Sequence, residues 1–436
     1  MKKTFAFWGL FIVIIMSLIS CSQDKDIIIT EDNIERTSPT ISLAEAEADL
    51  NKLLDDIYNM QSTRTSNSKR KVISNAFTIE NVSTNTRADG TTPITVHVFN
   101  FEDQEGFALM AGNSELPSLL ALADSGEITE TAQIDNPGVA IFLENMEQVY
   151  IDELSTSIST GTSSNYKIYG EWENIVYKQG GYCTVKWDQV DPYNKFCPEK
   201  DGENCVTGCV ATAVAQFMSI SRYPSSYNGY TFDWDKMTYS PYASLCTTEG
   251  TDQIARLMSE LGKKSNLDMS YNTSANGGSG ANAENIPRTL KNFGYSSGGS
   301  LGEYNTEKVV SELKNGYSIL VGGFSHKTVK KFLGITVSTK YSGGHRWLCH
   351  GLLERRRTVK TYNSNGVLQS STTESEWYPL CNWGWSGYHD GYYLSKAFNS
   401  NNAPSYPTST RSYELENGAE DYNYQYKITT VTGIRK

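Results

Sequence analysis

Histidine is scarce in this 436-residue chain, which holds only five, at positions 97, 326, 345, 350 and 389. Any search for an imidazole base is therefore short. Positive charge is also in deficit: 38 Lys and Arg face 49 Asp and Glu, the formal net charge is −11, and no long basic stripe appears. That balance argues against a nucleic-acid partner. The eight cysteines do not fall into the paired short spacings of structural zinc knuckles, so a zinc site built from Cys197, Cys205 and Cys209 is disfavoured. The apolar run at residues 5–19 is too short for a comfortable membrane span.

That run has another reading. Lys2 and Lys3 precede it as a charged n-region, and Leu18-Ile19-Ser20-Cys21 has the form of a bacterial lipobox. Cys21 is then the lipidated first residue of the exported protein, and residues 22–38, polar and acidic, are a tether. The expected location is the cell envelope, lipid-anchored at the outer membrane or cell surface, with release after maturation as an option. Length allows two folded domains beyond the tether.

The most informative stretch is Thr207-Gly208-Cys209-Val210-Ala211-Thr212-Ala213-Val214-Ala215-Gln216-Phe217. Val210, Ala213, Val214 and Phe217 recur at helical spacing, Thr207 and Gly208 suit a helix start, and Pro224 lies just past its end. Cys209 thus sits among unpaired N–H groups, where the helix dipole favours thiolate over thiol. Taken alone, it could equally be a small buried cysteine in an Ala-rich core helix.

His345 has the surroundings of a base. It follows Gly343-Gly344 and opens Arg346-Trp347-Leu348-Cys349, which reads as a strand entering the core. Its competitor, His350, lies five residues on and so on the opposite face of that strand. Farther along, Cys381-Asn382-Trp383-Gly384-Trp385 offers an amide at Asn382 to accept from the second ring nitrogen, with indoles to shield the bond. The 36 residues between His345 and Asn382 include two extended runs flanking Asn363-Ser364-Asn365-Gly366, an excursion that reads as a β-hairpin and returns the chain beside its start. Arg355, Arg356 and Arg357 read as its solvated edge.

Cys209, His345 and Asn382, with Trp187-Asp188-Gln189-Val190-Asp191-Pro192-Tyr193-Asn194 upstream, resemble the streptopain family of bacterial cysteine peptidases, in the papain-like clan. Ser279-Gly280-Ala281, followed by Leu290-Lys291-Asn292-Phe293-Gly294-Tyr295, resembles the family's cleft loop and next helix. The 136-residue interval from Cys209 to His345 agrees with the papain-like spacing of about 130–150. The resemblance implies an α+β fold, a papain-like two-subdomain peptidase behind a small α+β prodomain. It also implies peptide-bond hydrolysis through a Cys209 acyl-enzyme, with His345 as acid and base, Asn382 as its orienter and Gln189 completing the oxyanion hole. Substrate contacts fall to Ser279, Gly280, Gly344, Trp383 and Trp385, with an apolar S2 pocket near Gly344 and Trp383. No cofactor or metal is called for.

The N-terminal part reads as a domain of its own. Ser42-Leu43-Ala44-Glu45 has capping-box form, and an apolar helical face continues to about Met60. Residues 61–92 read as loop, then strands follow at 94–98, 107–110 and 116–122, and an amphipathic helix at 139–154. Gly106-Phe107-Ala108-Leu109-Met110 resembles the family's prodomain, which implies an intramolecular inhibitor removed by cleavage near residues 155–165. The expected division is 1–20 signal, 21–40 tether, 41–165 prodomain and 166–436 catalytic domain. Partners are protein or peptide substrates and the chain's own prodomain. The rival reading is a catalytically silent surface-binding lipoprotein on the same fold. Of the cysteines left over, Cys197 and Cys205 are the favoured disulfide.

Overall fold

The computed structural model describes residues 39–62, 69–82, 93–129, 135–160, 165–177, 181–325, 330–332, 335–337, 343–399 and 428–436. The signal, the lipobox cysteine Cys21, the tether and His326 lie outside them. The N-terminal part comprises α1 (Leu43–Ser62), β1 (Ile73–Val82), β2 (Pro93–Phe101), β3 (Phe107–Ala111), β4 (Leu119–Ala123) and α2 (Pro137–Thr160). The expected capping box starts α1: Ser42 N–H donates to Glu45 Oε2 at 2.8 Å, and Glu45 N–H to Ser42 Oγ at 3.3 Å. Leu50, Leu53 and Leu54 bury the helix's apolar face. Two expectations need correcting. Part of the supposed loop is β1, which pairs antiparallel with β2, and α2 runs six residues past Leu154 to Thr160. Cross-strand partners on β2 override the low strand propensity of Ser and Asn in β1.

The C-terminal part supplies β5 (Tyr166–Tyr169), β6 (Glu173–Tyr177), α3 (Cys209–Ser221), α4 (Trp234–Met237), α5 (Thr248–Gly262), α6 (Asn285–Asn292), β7 (Ser297–Glu303) and α7 (Thr306–Lys314). It continues with β8 (Ile319–Ser325), β9 (Gly343–Tyr362), β10 (Leu368–Asn382), β11 (Gly391–Tyr393) and β12 (Thr429–Arg435). The expected hairpin is present as β9 and β10, and it returns Asn382 to a position opposite Leu348.

One antiparallel sheet joins the two parts. Its order is β1-β2-β3-β4-β11-β10-β9-β8-β12-β7, with β5 and β6 also on β9. The seam is β4 on β11, where Ala123, Leu122 and Ala121 face Gly391, Tyr392 and Tyr393. Edge pairing of this kind satisfies the backbone of both edges and so docks one region on the other without a side-chain code. Two apolar cores flank the sheet. Val210, Val214 and Met218 of α3 pack with Leu320 and Leu348, whereas Val139, Phe142 and Met146 of α2 belong to the core that holds Trp347 and Trp383.

Strand alternation decides which core each residue of β9 serves. Trp347 and Cys349 face the α2 side, and Leu348 the α3 side. His345, two residues before Trp347, shares the α2 face.

Arg355–357 is not a solvated edge. Arg355 is fully buried and donates to Asn174 Oδ1 at 2.8 Å, Ser118 Oγ at 2.7 Å and Asp49 Oδ1 at 2.6 Å. Arg357 bonds Glu374 at 3.0 Å and the Ser114 carbonyl at 2.9 Å, and Arg356 alone points outward, to Glu173. Asp49, Ser114 and Ser118 all belong to the N-terminal part. The partners that bury the run, Asp49, Ser114 and Ser118, lie more than 230 residues upstream, beyond the reach of local pattern. The favoured Cys197–Cys205 disulfide is also absent: both thiols are free and buried, and burial pushes that of Cys197 up to about 12.

Removal of one partner from a buried ion pair typically costs about 3–5 kcal/mol. Arg355→Ala is expected to lower the unfolding free energy of the intact chain by about that amount, read by denaturant titration, whereas Arg356→Ala shifts it by less than about 1 kcal/mol.

Candidate active site

Cys209 is the first residue of α3, and the backbone around it explains why. Gly208 caps the helix at φ 82°, ψ 143°, a conformation suited to glycine, and a Cβ there would come within 2.8 Å of the Ser279 carbonyl. Thr207 N–H donates to the Gln189 carbonyl at 2.9 Å, and Thr212 Oγ1 folds back on the Gly208 carbonyl at 3.2 Å. Gln189 is therefore tied by its backbone to the start of the helix. Ser279 spends its hydroxyl within its own loop, donating to the Asn272 carbonyl and accepting from the Asn272 N–H. Gly280 is exposed beside it.

The Cys209 sulfur meets the backbone that flanks His345. It lies 3.9 Å from the Gly344 carbonyl oxygen and receives the Arg346 N–H. The imidazole itself is elsewhere. His345 Nε2 is 2.8 Å from the Trp383 carbonyl oxygen, and the ring lies parallel to Trp347 and edge-on to Trp385, each centroid 6.2 Å away. A carbonyl only accepts, so Nε2 carries the proton. Burial, the Trp383 bond notwithstanding, depresses the ring's pKa to about 4, and the neighbouring Arg346 charge adds to the effect. Burial also raises the Cys209 thiol, against the pull of the Arg346 N–H and guanidinium and of the N–H groups at the helix start. The pair is thus a neutral thiol and a neutral imidazole.

Asn382 does not orient His345 here. Its Oδ1 accepts from Gln216 Nε2 at 2.8 Å and Gly384 N–H at 3.0 Å, and its Nδ2 donates to the Val185 carbonyl at 2.9 Å. Those bonds fix the turn that presents the next carbonyl, that of Trp383, to the imidazole. Trp383 is completely buried, tilted against Trp347 and edge-on to Tyr393, and a Cβ on Gly138 of α2 would come within 2.1 Å of its ring. The expected S2 wall is therefore core in this state, not cleft. Trp385 is half-buried and Gly344 exposed. His350 accepts the Cys183 N–H at 3.2 Å and lines a cavity of about 640 Å³ with Leu54, Lys186 and Asp390, apart from Cys209.

The N-terminal part grips the 383–391 turn at several atoms, a feature local sequence reading missed. Asp124 N–H donates to the Asp390 carbonyl at 2.6 Å. Ser125 Oγ donates to the Gly387 carbonyl and accepts from the His389 N–H, both at 2.9 Å. Asn136, fully buried, caps the start of α2 and donates to the Tyr388 carbonyl at 2.9 Å. The His389 ring sits edge-on to Phe107, neither nitrogen has a hydrogen-bond partner among the described residues, and burial lowers its pKa to about 4.

A histidine held neutral when folded but basic when unfolded stabilises the fold fully above the unfolded pKa of about 6.5, and that stability drains as pH falls toward 4. His389→Phe, with a ring that cannot protonate, is expected to gain stability relative to wild type as pH drops from 7 to 4. Paired melting curves across that range read the difference, and parallel curves would count against the assignment.

Residues 187–393 match the Peptidase C10 family, and residues 42–150 match the family described as Spi protease inhibitor. Streptopain of Streptococcus pyogenes serotype M1 is 24% identical over 350 residues, 70% of this chain and 74% of that protein. The thiol protease/hemagglutinin PrtT of Porphyromonas gingivalis is 21% identical over 374 residues, 77% of this chain and 36% of that protein. The solved prointerpain A fragment of Prevotella intermedia is 21% identical and covers 83% of this chain and 99% of its own, with a TM-score of 0.48. With a helix-borne cysteine against the backbone that flanks a strand-borne histidine, and an inhibitor-like region ahead of both, the chain is a cysteine peptidase of the streptopain family.

Proposed function

We propose that this chain is the lipid-anchored, exported zymogen of an endopeptidase that cuts extracellular proteins, with residues 41–165 as its inhibitor. The observation that carries the reading is the state of the catalytic pair: α2 covers Trp383, the His345 imidazole is bonded to the Trp383 carbonyl, and both His345 and the Cys209 thiol are neutral. Loss of α2 and β4 uncovers Trp383 and lets water reach the imidazole. The ring can then leave the carbonyl and take up the proton of Cys209.

In the active form, the Cys209 sulfur attacks the carbonyl carbon of a peptide bond. Charge that gathers on the carbonyl oxygen is stabilised by the Cys209 N–H at the helix start and the Gln189 side-chain amide, each such donor being worth about 2.7–4 kcal/mol. His345 gives its proton to the leaving amine as the C–N bond breaks, and a thioester remains on Cys209. It then removes a proton from water, which attacks the thioester and frees the new carboxylate. Asn382, through its bonds to Gln216, Val185 and Gly384, sets the turn that carries the Trp383 carbonyl from which the ring is released. Gly344, whose carbonyl oxygen lies 3.9 Å from the sulfur, and Gly280, next to the Ser279 carbonyl that abuts Gly208, are both exposed and form the rims along which an extended substrate lies.

Anchorage follows from the lipobox at Cys21, which supports an outer-membrane or cell-surface location. Expression of the full chain in a bacterial host is expected to give a diacylglyceryl-modified Cys21 by mass spectrometry, and Cys21→Ser to shift the protein out of the membrane fraction. For the chemistry, purified full-length protein incubated with casein is expected to gain activity in step with loss of the N-terminal part, and Cys209→Ala to show neither. Wild-type protein that stays inert after complete loss of that part would overturn the endopeptidase reading.

A further inference from the structure

Arg346 follows His345 on β9 but leaves the strand on the other face, with Leu348, toward α3. It is only 7% exposed. Room for the guanidinium comes from Gly322, its partner in the β8–β9 register, where a Cβ would come within 2.5 Å of the guanidinium carbon. Nη2 donates to Thr429 Oγ1 at 3.0 Å and Nη1 to the Thr429 carbonyl at 3.4 Å. Both acceptors are neutral, and among the described residues no carboxylate lies within ion-pair distance of the guanidinium. A buried cation without an anion is strongly unfavourable, so this arrangement calls for one.

Cys209 is the group that can provide it. Its sulfur lies against the same stretch of β9, 3.9 Å from the Gly344 carbonyl oxygen, and the guanidinium and the thiol each favour the other's charged form. The other groups near the sulfur do not compete. Asp188, on the 187–194 segment, is bonded by Ser386 Oγ and the Gln189 N–H. Met269 and Ser279, from the segment against Gly208, and Thr429 of β12 carry no charge. His345 is turned to Trp383.

We propose that Arg346 is a fixed electrostatic partner of the Cys209 thiolate, supplying the positive charge that a cysteine peptidase otherwise draws from its histidine. The anchors of the guanidinium, Gly322 and Thr429, belong to the catalytic part, so the charge stays in place when the N-terminal part is lost. In the intact chain burial outweighs it and the sulfur stays protonated. Once the cover leaves, the same charge favours the anion, and His345 is free to move protons rather than serve as counter-ion. The inference rests on Cys209 as nucleophile, and its test is chosen to need no turnover.

Iodoacetamide labelling of Cys209, quantified by peptide mass spectrometry between pH 5 and 10, reads the thiolate fraction directly in the processed enzyme. Arg346→Met is expected to move the midpoint up by about one pH unit and so cut labelling at pH 6 about tenfold. His345→Ala is expected to hold labelling at pH 6 within about threefold of wild type. An unchanged profile for Arg346→Met with native circular dichroism overturns the proposal. So does loss of low-pH labelling in His345→Ala, which decides the matter if Arg346→Met fails to fold. Normal labelling without casein hydrolysis would count against the peptidase reading and leave the role of Arg346 standing.

Discussion

A backbone carbonyl that can only accept a hydrogen bond holds the imidazole of His345, and the rest of the site depends on that bond. While Trp383 keeps the ring, the Nε2 proton is committed to a peptide oxygen and burial denies the ring a second proton. The sulfur of Cys209, one backbone away, is likewise kept a thiol by burial, against the pull of the Arg346 charge. A cysteine at a helix start is primed for ionisation by the dipole alone, so its silence here shows how far desolvation can outweigh oriented N–H groups.

The carbonyl is held in place from two directions. From the catalytic part, Asn382 bonds Gln216, Val185 and Gly384 and sets the turn. From the N-terminal part, α2 abuts the Trp383 ring at Gly138, while Asp124, Ser125 and Asn136 bond the residues that follow. Sheet pairing of β4 on β11 and the buried Arg355 cluster fix the register of this contact. Burial of the histidine is in this sense a folding event: the N-terminal strands extend the catalytic sheet, and the same pairing that buries their edge also covers the histidine's surroundings.

Much of the arrangement was legible in the residues. The start of α3 at Cys209, the strand at His345, the hairpin that returns Asn382 and the capping box at Ser42 each announce themselves through local spacing, glycine placement or cap chemistry. What local pattern could not carry was partnership over long separations. Asn382 has the residue type of an orienting amide, yet its bonds go to Gln216 and Val185, and its neighbour's carbonyl takes the imidazole. Arg355 has the look of a solvent-facing cation, yet Asp49 and Ser118 enclose it. Trp383 stands in a motif that suggests a cleft wall, but α2 makes it core. For Arg355 and Trp383 the deciding contact comes from the N-terminal region, and for Asn382 from residues 166 and 197 positions upstream within the catalytic part, so residue type alone does not say which partner each will find.

The most direct measurement of this account is the ring-nitrogen resonance of His345 by NMR, in the intact chain and after loss of the N-terminal part. The account predicts a neutral ring protonated at Nε2 at pH 6 in the intact chain, and an imidazolium at the same pH once that part is gone. An imidazolium already present at pH 6 in the intact chain would contradict it.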